Sequence, residues 1–67
     1  MKNTIEAIMF NYGFGMSVEE AATLVYRELH RYGYDVCITN DRYIKIEGHT
    51  YQLRKTRSKG RWTAREF

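Results

Sequence analysis

Three stretches in the second half of the chain alternate aromatic or β-branched residues with polar ones: 34–39 (YDVCIT), 43–47 (YIKIE) and 50–54 (TYQLR). This alternation is typical of strands that bury only one of their two faces. Residues 62–64 (WTA) extend the pattern to a shorter fourth strand. Because the loops between the first three stretches are short, consecutive strands can pair directly. The pattern therefore predicts an antiparallel meander of three to four strands.

The first turn of the meander decides which side chains share a face. A three-residue loop at 40–42 places Ile38 opposite Ile44, and it places Val36 opposite Ile46. A loop one residue shorter would turn the second strand over and point its isoleucines away from the first strand's apolar face. We therefore expect the three-residue loop.

The next two turns complete the predicted register. Residues 48–49 (GH) suit a two-residue loop with glycine first, as a type II′ turn requires, and this loop pairs Ile46 with Tyr51. The fourth strand is then expected to pair Trp62 with Leu53. The predicted core face comprises Tyr34, Val36, Ile38, Ile44, Ile46, Tyr51, Leu53, Trp62 and Ala64.

Upstream of the sheet, the spacing of apolar residues changes to that of two helices. Residues 4–12 place apolar side chains three or four positions apart, which predicts a short amphipathic helix. Ser17 and Glu20 have the spacing of a capping box, in which each side chain accepts a hydrogen bond from the other residue's backbone amide. A second helix is therefore expected from Ser17 to about Tyr32, with Gly33 just beyond its end.

Together these elements predict a single α+β domain over residues 1–67. Two N-terminal helices are expected to pack on one face of a three- to four-stranded antiparallel β-meander, because their apolar stripes need a surface to cover. The opposite face then stays open to solvent or to a partner. By the predicted registers, this open face comprises Cys37, Tyr43, Lys45, Glu47, Thr50, Gln52, Arg54, Arg61, Thr63 and Arg65.

The composition argues against several classes of protein. A single cysteine cannot form an intramolecular disulfide, which favours the reducing cytoplasm as the location. One cysteine and two scattered histidines, His30 and His49, cannot supply the closed ligand set of a structural zinc site, and no spacing implies a nucleophile paired with a base. No apolar run approaches the ~20 residues that span a membrane. We therefore expect no metal, no cofactor, no membrane and no enzymatic activity.

Charge is distributed unevenly along the chain. Residues 1–53 carry five basic and seven acidic side chains, whereas residues 54–67 carry six basic and one acidic. Such an excess of positive charge indicates a surface that meets an anionic partner. We therefore predict binding of DNA or RNA through a basic C-terminal β-hairpin whose cations contact phosphates. Tyr43 is available to stack on a base, but Tyr51 and Trp62 belong to the core face, so the sequence favours a basic ribbon that reads the backbone or a groove over an aromatic stacking platform. The predicted binding residues are Tyr43, Lys45, Arg54, Lys55, Arg57, Lys59, Arg61 and Arg65.

An acidic protein surface is the alternative partner. Arginine and tyrosine are favoured anchors at interfaces, and the chain has seven arginines and six tyrosines. In that case the chain would act as a small regulator or inhibitor, of the accessory type that phages and mobile elements encode. A second copy of the chain, forming a homodimer, is a further candidate partner, since an open sheet edge can pair with another strand. The basic residues also have a simpler interpretation, because cationic loops and edge strands reduce aggregation.

Overall fold

A computed structural model describes residues 1–12, 15–40, 42–55 and 62–67 of the chain. It confirms the predicted α+β fold, with two helices packed against one face of a four-stranded antiparallel sheet. The elements in chain order are α1 (Lys2–Tyr12), α2 (Val18–Arg31), β1 (Val36–Asn40), β2 (Tyr43–Ile46), β3 (His49–Lys55) and β4 (Trp62–Glu66). The strands lie in the order β1-β2-β3-β4, which is the predicted meander.

The second helix begins at the capping box that the sequence predicted. The Ser17 hydroxyl accepts a hydrogen bond from the Glu20 amide at 3.2 Å, and Glu20 Oε1 accepts one from the Ser17 amide at 3.1 Å. These bonds satisfy amides that the first turn of a helix leaves without helical partners. After the C-cap residue Tyr32, Gly33 has a φ of 91°, a left-handed conformation that glycine adopts at little steric cost.

The first hairpin has the predicted pairing. Val36 lies opposite Ile46, and Ile38 lies opposite Ile44. The register then shifts by one residue, so that Asn40 pairs with the first residue of β2. β1 therefore has one more residue than the segment of β2 that it pairs with, and this residue forms a β-bulge inside the strand. The prediction had placed the extra residue in the loop.

The second turn differs from the prediction. Glu47 and Gly48, with φ of 50° and 84°, are its central residues, and positive φ at both positions marks a type I′ turn. Ile46 therefore pairs with His49. The predicted turn at Gly48 and His49, which paired Ile46 with Tyr51, is wrong. The predicted turn required a positive φ only at Gly48. In the structure Glu47 also has a positive φ, a conformation that few residues other than glycine adopt.

The third pairing is also displaced by two residues. Leu53 pairs with Ala64, and Lys55 pairs with Trp62, so the predicted pairing of Leu53 with Trp62 is wrong. Residues 56–61, which join the two strands, lie outside the described part of the chain. Because side chains alternate between the faces with a period of two, a displacement of two residues leaves each side chain on its predicted face.

The core forms where the helices meet the sheet. Seven of the nine residues of the predicted core face are buried, whereas Tyr34 and Ile38 are 37% and 41% exposed. Both of these lie at or just before β1, which is an edge strand with a neighbour on one side only. The buried residues are Ile5, Met9, Ala21, Ala22, Val25, Leu29, Val36, Ile44, Ile46, Tyr51, Leu53, Trp62 and Ala64.

Candidate nucleic-acid interface

The side chains that alternate with the core residues point away from the helices. We call this side of the sheet the outer face, and the side packed against the helices the covered face. Lysine and arginine side chains are exposed on the outer face, and threonine and glutamine side chains are partly buried between them. Glu47, predicted to belong here, lies in the second turn instead. The outer face comprises Cys37, Tyr43, Lys45, Thr50, Gln52, Arg54, Thr63, Arg65 and Phe67.

Strand pairing brings two of the three cations of the outer face, Arg54 and Arg65, near each other. Arg65 lies opposite Gln52, and Arg54 is two residues further along β3. Side chains in this diagonal relation start from α-carbons roughly 7–8 Å apart. On the other side of β3, Lys45 lies opposite Thr50. The outer face thus carries positive charge on β2, β3 and β4.

Two aromatic rings are in contact on the outer face. The ring centroids of Tyr43 and Phe67 are 5.6 Å apart, and the ring planes are tilted by 49°. The Arg65 guanidinium lies 5.6 Å from the centroid of the Phe67 ring, within the range of a cation–π interaction. The Phe67 amide donates to the Thr50 carbonyl at 2.9 Å, which continues the pairing of β3 and β4 by one residue. Sequence reasoning missed Phe67, although its spacing from Arg65 places both on one face of a strand.

Among the described residues of the predicted site, Lys55 points to the opposite face of the sheet from Arg54 and Arg65. It pairs with Trp62 on the covered face, and its Nζ is 5.7 Å from the centroid of the indole ring. The same Nζ donates to the Met16 carbonyl at 3.3 Å. Arg54 and Arg65 therefore share the outer face, while Lys55 points toward the helices. The remaining predicted cations, Arg57, Lys59 and Arg61, lie outside the described residues.

A cleft of about 500 Å³ opens beside the end of β3, and we call it the basic cleft. Arg54 and Gln52 belong both to this cleft and to the outer face, so the two surfaces are continuous. Sequence reasoning placed Arg42 only in a loop. Its carbonyl accepts from the Leu53 amide at 2.8 Å, which holds the loop against β3 and brings its side chain to the cleft. The cleft is lined by three cationic residues and three others: Arg42, Arg54, Lys55, Val18, Gln52 and Leu53.

Two carboxylates contact the sheet near β4, and both lie away from the outer face. Glu66 is opposite Tyr51, so its side chain is on the covered side, where Oε2 is 3.0 Å from His49 Nδ1. Burial, and then the charge of Glu66, raise the pKa of Tyr51 above its ordinary value of 10.0. Glu6 Oε2, on α1, accepts from the Ala64 amide at 2.9 Å. Neither carboxylate therefore offsets the cations of the outer face at close range.

The residues considered for metal binding or catalysis have other, separate contacts. His30 stacks on Tyr26 within α2, with ring centroids 5.5 Å apart, and His49 contacts Glu66. In the described ranges, no cluster of three or more histidine, cysteine or carboxylate side chains has the geometry of a metal site. Neither α1 nor α2 is long and apolar enough to cross a membrane.

Comparison with known proteins finds no match among family models, curated proteins or solved structures. Function is therefore inferred from the side chains of the outer face and the basic cleft.

Proposed function

We propose that this chain is a non-enzymatic protein that binds nucleic acid through the outer face of its sheet. The observation that carries the proposal is the sign of the charge on that face. Lys45, Arg54 and Arg65 are exposed there, and the outer-face positions within β1 to β4 hold no acidic residue. The acidic residues Asp35 and Glu47 lie just outside these strands, before β1 and after β2, where the Asp35 carbonyl accepts from the Glu47 amide at 2.8 Å. The outer-face positions of the strands therefore carry positive charge only, although the whole chain has eight acidic residues. A sugar–phosphate backbone is complementary to it.

The basic cleft extends this surface alongside the end of β3. Arg54 contributes to both surfaces, and Arg42 and Lys55 add two further cations. A backbone that crosses the outer face can therefore continue into the cleft and keep its phosphates near positive charge. In the sequence, Lys55 is followed by Arg57, Lys59 and Arg61, which raise the charge of the segment joining β3 to β4.

Binding of this kind draws most of its affinity from phosphate contacts. The half-buried Thr50, Gln52 and Thr63 stand between the cations and offer hydroxyl and amide groups for hydrogen bonds. Contacts to phosphate and sugar set the position of the polymer but carry no base sequence information. We therefore expect salt-dependent binding that tolerates many sequences.

Fluorescence anisotropy of labelled oligonucleotides, titrated from about 50 to about 300 mM salt, tests the proposal. The test variant combines Lys45→Gln, Arg54→Gln and Arg65→Gln. The matched control combines Lys2→Gln, Arg27→Gln and Arg31→Gln on the helices, and both variants change the formal net charge from +3 to 0. We expect the outer-face variant to lose most of the affinity and to reduce the slope of log K against log salt by about 2 to 3.

The helix variant distinguishes binding at the outer face from binding that depends only on the net charge of the protein. If the helix variant loses as much affinity as the outer-face variant, binding follows the net charge and the outer face is not the site. If no oligonucleotide binds at about 50 mM salt, the proposal fails, because phosphate contacts are strongest at low ionic strength. An acidic protein surface then becomes the partner to test.

A further inference from the structure

Phosphate binding leaves one feature of the outer face unexplained, the exposed ring of Phe67. The side chain is 63% exposed, although it is wholly apolar and has the Arg65 guanidinium against its ring. A benzyl ring has no group that can bond a phosphate. What such a ring offers to a nucleic acid is its flat π-surface, on which a base can stack.

The ring is held in place by the sheet. The backbone of Phe67 is bonded to Thr50, and the guanidinium of Arg65 lies against its ring. Tyr43, from the other side of β3, contacts it at a tilt of 49°. At this tilt the two rings do not stack face to face, so the Phe67 ring is positioned by its neighbour without being covered by it.

We propose that the outer face takes single-stranded nucleic acid, with unpaired bases stacked on Phe67 and Tyr43 and the backbone held by the neighbouring cations. This inference rests on the proposed function of the same face, and it names the class of polymer. In a duplex, the faces of the bases are stacked on one another and only their edges are accessible in the grooves. An exposed ring that lies beside an arginine therefore gains more from unpaired bases than from a duplex.

The arrangement also suits a flexible strand on geometric grounds. The aromatic rings and the cations Lys45, Arg54 and Arg65 lie on one side of a twisted sheet, so bases and phosphates must reach the same surface. A single strand can turn its bases toward the protein and keep its phosphates alongside them. A duplex presents mainly its phosphates to a surface of this shape.

The test compares a labelled single strand with the duplex of the same sequence. The test variant combines Tyr43→Leu with Phe67→Leu, which keeps apolar side chains but removes both π-surfaces. The matched control combines Phe10→Leu with Tyr12→Leu, two aromatic residues of α1 that are 67% and 62% exposed. We expect wild-type protein to prefer the single strand, and the test variant to bind it about 10- to 100-fold more weakly.

Salt dependence separates this inference from the proposed function. Replacing the two rings removes no charge, so the affinity should fall while the slope of log K against log salt stays at the wild-type value. The cation variant should instead reduce the slope. If single strand and duplex bind equally and the leucine variant binds as wild type does, the stacking inference is wrong, while salt-dependent binding to both would still support the proposed function. Absence of any binding overturns both.

A spectroscopic measurement gives a second, direct readout. Phe67→Trp places an indole at an exposed position, whereas the native Trp62 is only 5% exposed on the covered face. Stacking of a base on the new indole should quench its emission when single strand is added, and duplex should quench it less. Phe10→Trp is the control, and quenching of equal size there would contradict stacking at Phe67.

Discussion

The covered face and the outer face of the sheet are made from alternate residues of the same strands. On β3, Leu53 is 1% exposed in the core while its neighbour Arg54 is exposed to solvent. On β4, Ala64 is buried and Arg65 is exposed. The buried core is thus on one face, whereas the exposed cations Lys45, Arg54 and Arg65 and the contacting rings of Tyr43 and Phe67 are on the other. Substitutions one residue apart should therefore affect different properties of the protein.

The largest expected effect is on the covered face, at Trp62. Trp62→Ala should lower the free energy of unfolding by about 3–5 kcal/mol, because it removes a large, 5% exposed side chain and leaves a cavity between α1 and the sheet. Urea denaturation followed by far-UV circular dichroism measures this loss. In a domain of this size such a loss can prevent folding, so Trp62→Phe, which keeps an aromatic ring, serves as the milder variant. A loss below about 1 kcal/mol for Trp62→Ala would show that the covered face does not supply most of the stability.

A smaller effect is expected where α1 covers the edge of the sheet. Glu6→Ala removes the carboxylate that accepts from the Ala64 amide and leaves that part-buried amide without this acceptor. We expect a loss of about 1–3 kcal/mol in the free energy of unfolding. Glu6→Gln keeps an oxygen acceptor and should lose less.

Oligonucleotide binding by Glu6→Ala tests whether the covered face and the outer face are independent. The residue lies on the helix side, so the variant should bind oligonucleotides as tightly as wild type at temperatures where both are folded. Weaker binding by the folded variant would show that the two faces are not independent.

Titration of Tyr51 on the covered face should make the free energy of unfolding depend on pH. Burial, and then the charge of Glu66, raise the pKa of this phenol in the folded state, so the folded state keeps its proton to higher pH than the unfolded state does. Its contribution is therefore fully present below the unfolded pKa of 10.0 and is lost as the pH rises through the folded pKa. Tyr51→Phe should flatten the fall in unfolding free energy above about pH 10. An identical fall in wild type and variant would contradict this assignment.

The assignment of residues to faces could be predicted from the sequence because it depends only on the alternation. Two of the three predicted pairings are displaced by two residues, yet Tyr51, Leu53 and Ala64 are buried as expected. The turn itself could not be predicted, since it depends on the positive φ of Glu47, a conformation that few residues with side chains adopt. The capping box at Ser17 was predictable because it is a local interaction with a fixed spacing.

The candidate site was predicted less completely, for a related reason. The prediction assigned cations to the site by their closeness along the sequence, so it placed Lys55 and Arg54 on the same surface. Neighbouring residues of a strand, however, point to opposite faces of the sheet. Phe67 was missed because the predicted outer face ended at Arg65, whereas the pairing with β3 continues to Phe67, whose amide donates to the Thr50 carbonyl. Arg42 was missed because its place at the basic cleft depends on how the first turn packs against β3, a contact between segments that no local pattern reveals.

The smallest expected effect on stability is on the outer face itself. Lys45→Gln, Arg54→Gln and Arg65→Gln together should change the free energy of unfolding by about 1 kcal/mol or less, because exposed side chains contribute little and an exposed cation–π contact such as that of Arg65 with Phe67 is worth about 0.5–1 kcal/mol. Urea denaturation at the salt concentration of the binding assay measures it. A loss above about 2 kcal/mol would show that these cations hold the sheet together, and weaker binding would then reflect unfolding. A stable variant that no longer binds would instead assign the lost affinity to the outer face, since the covered face and its core would be unchanged.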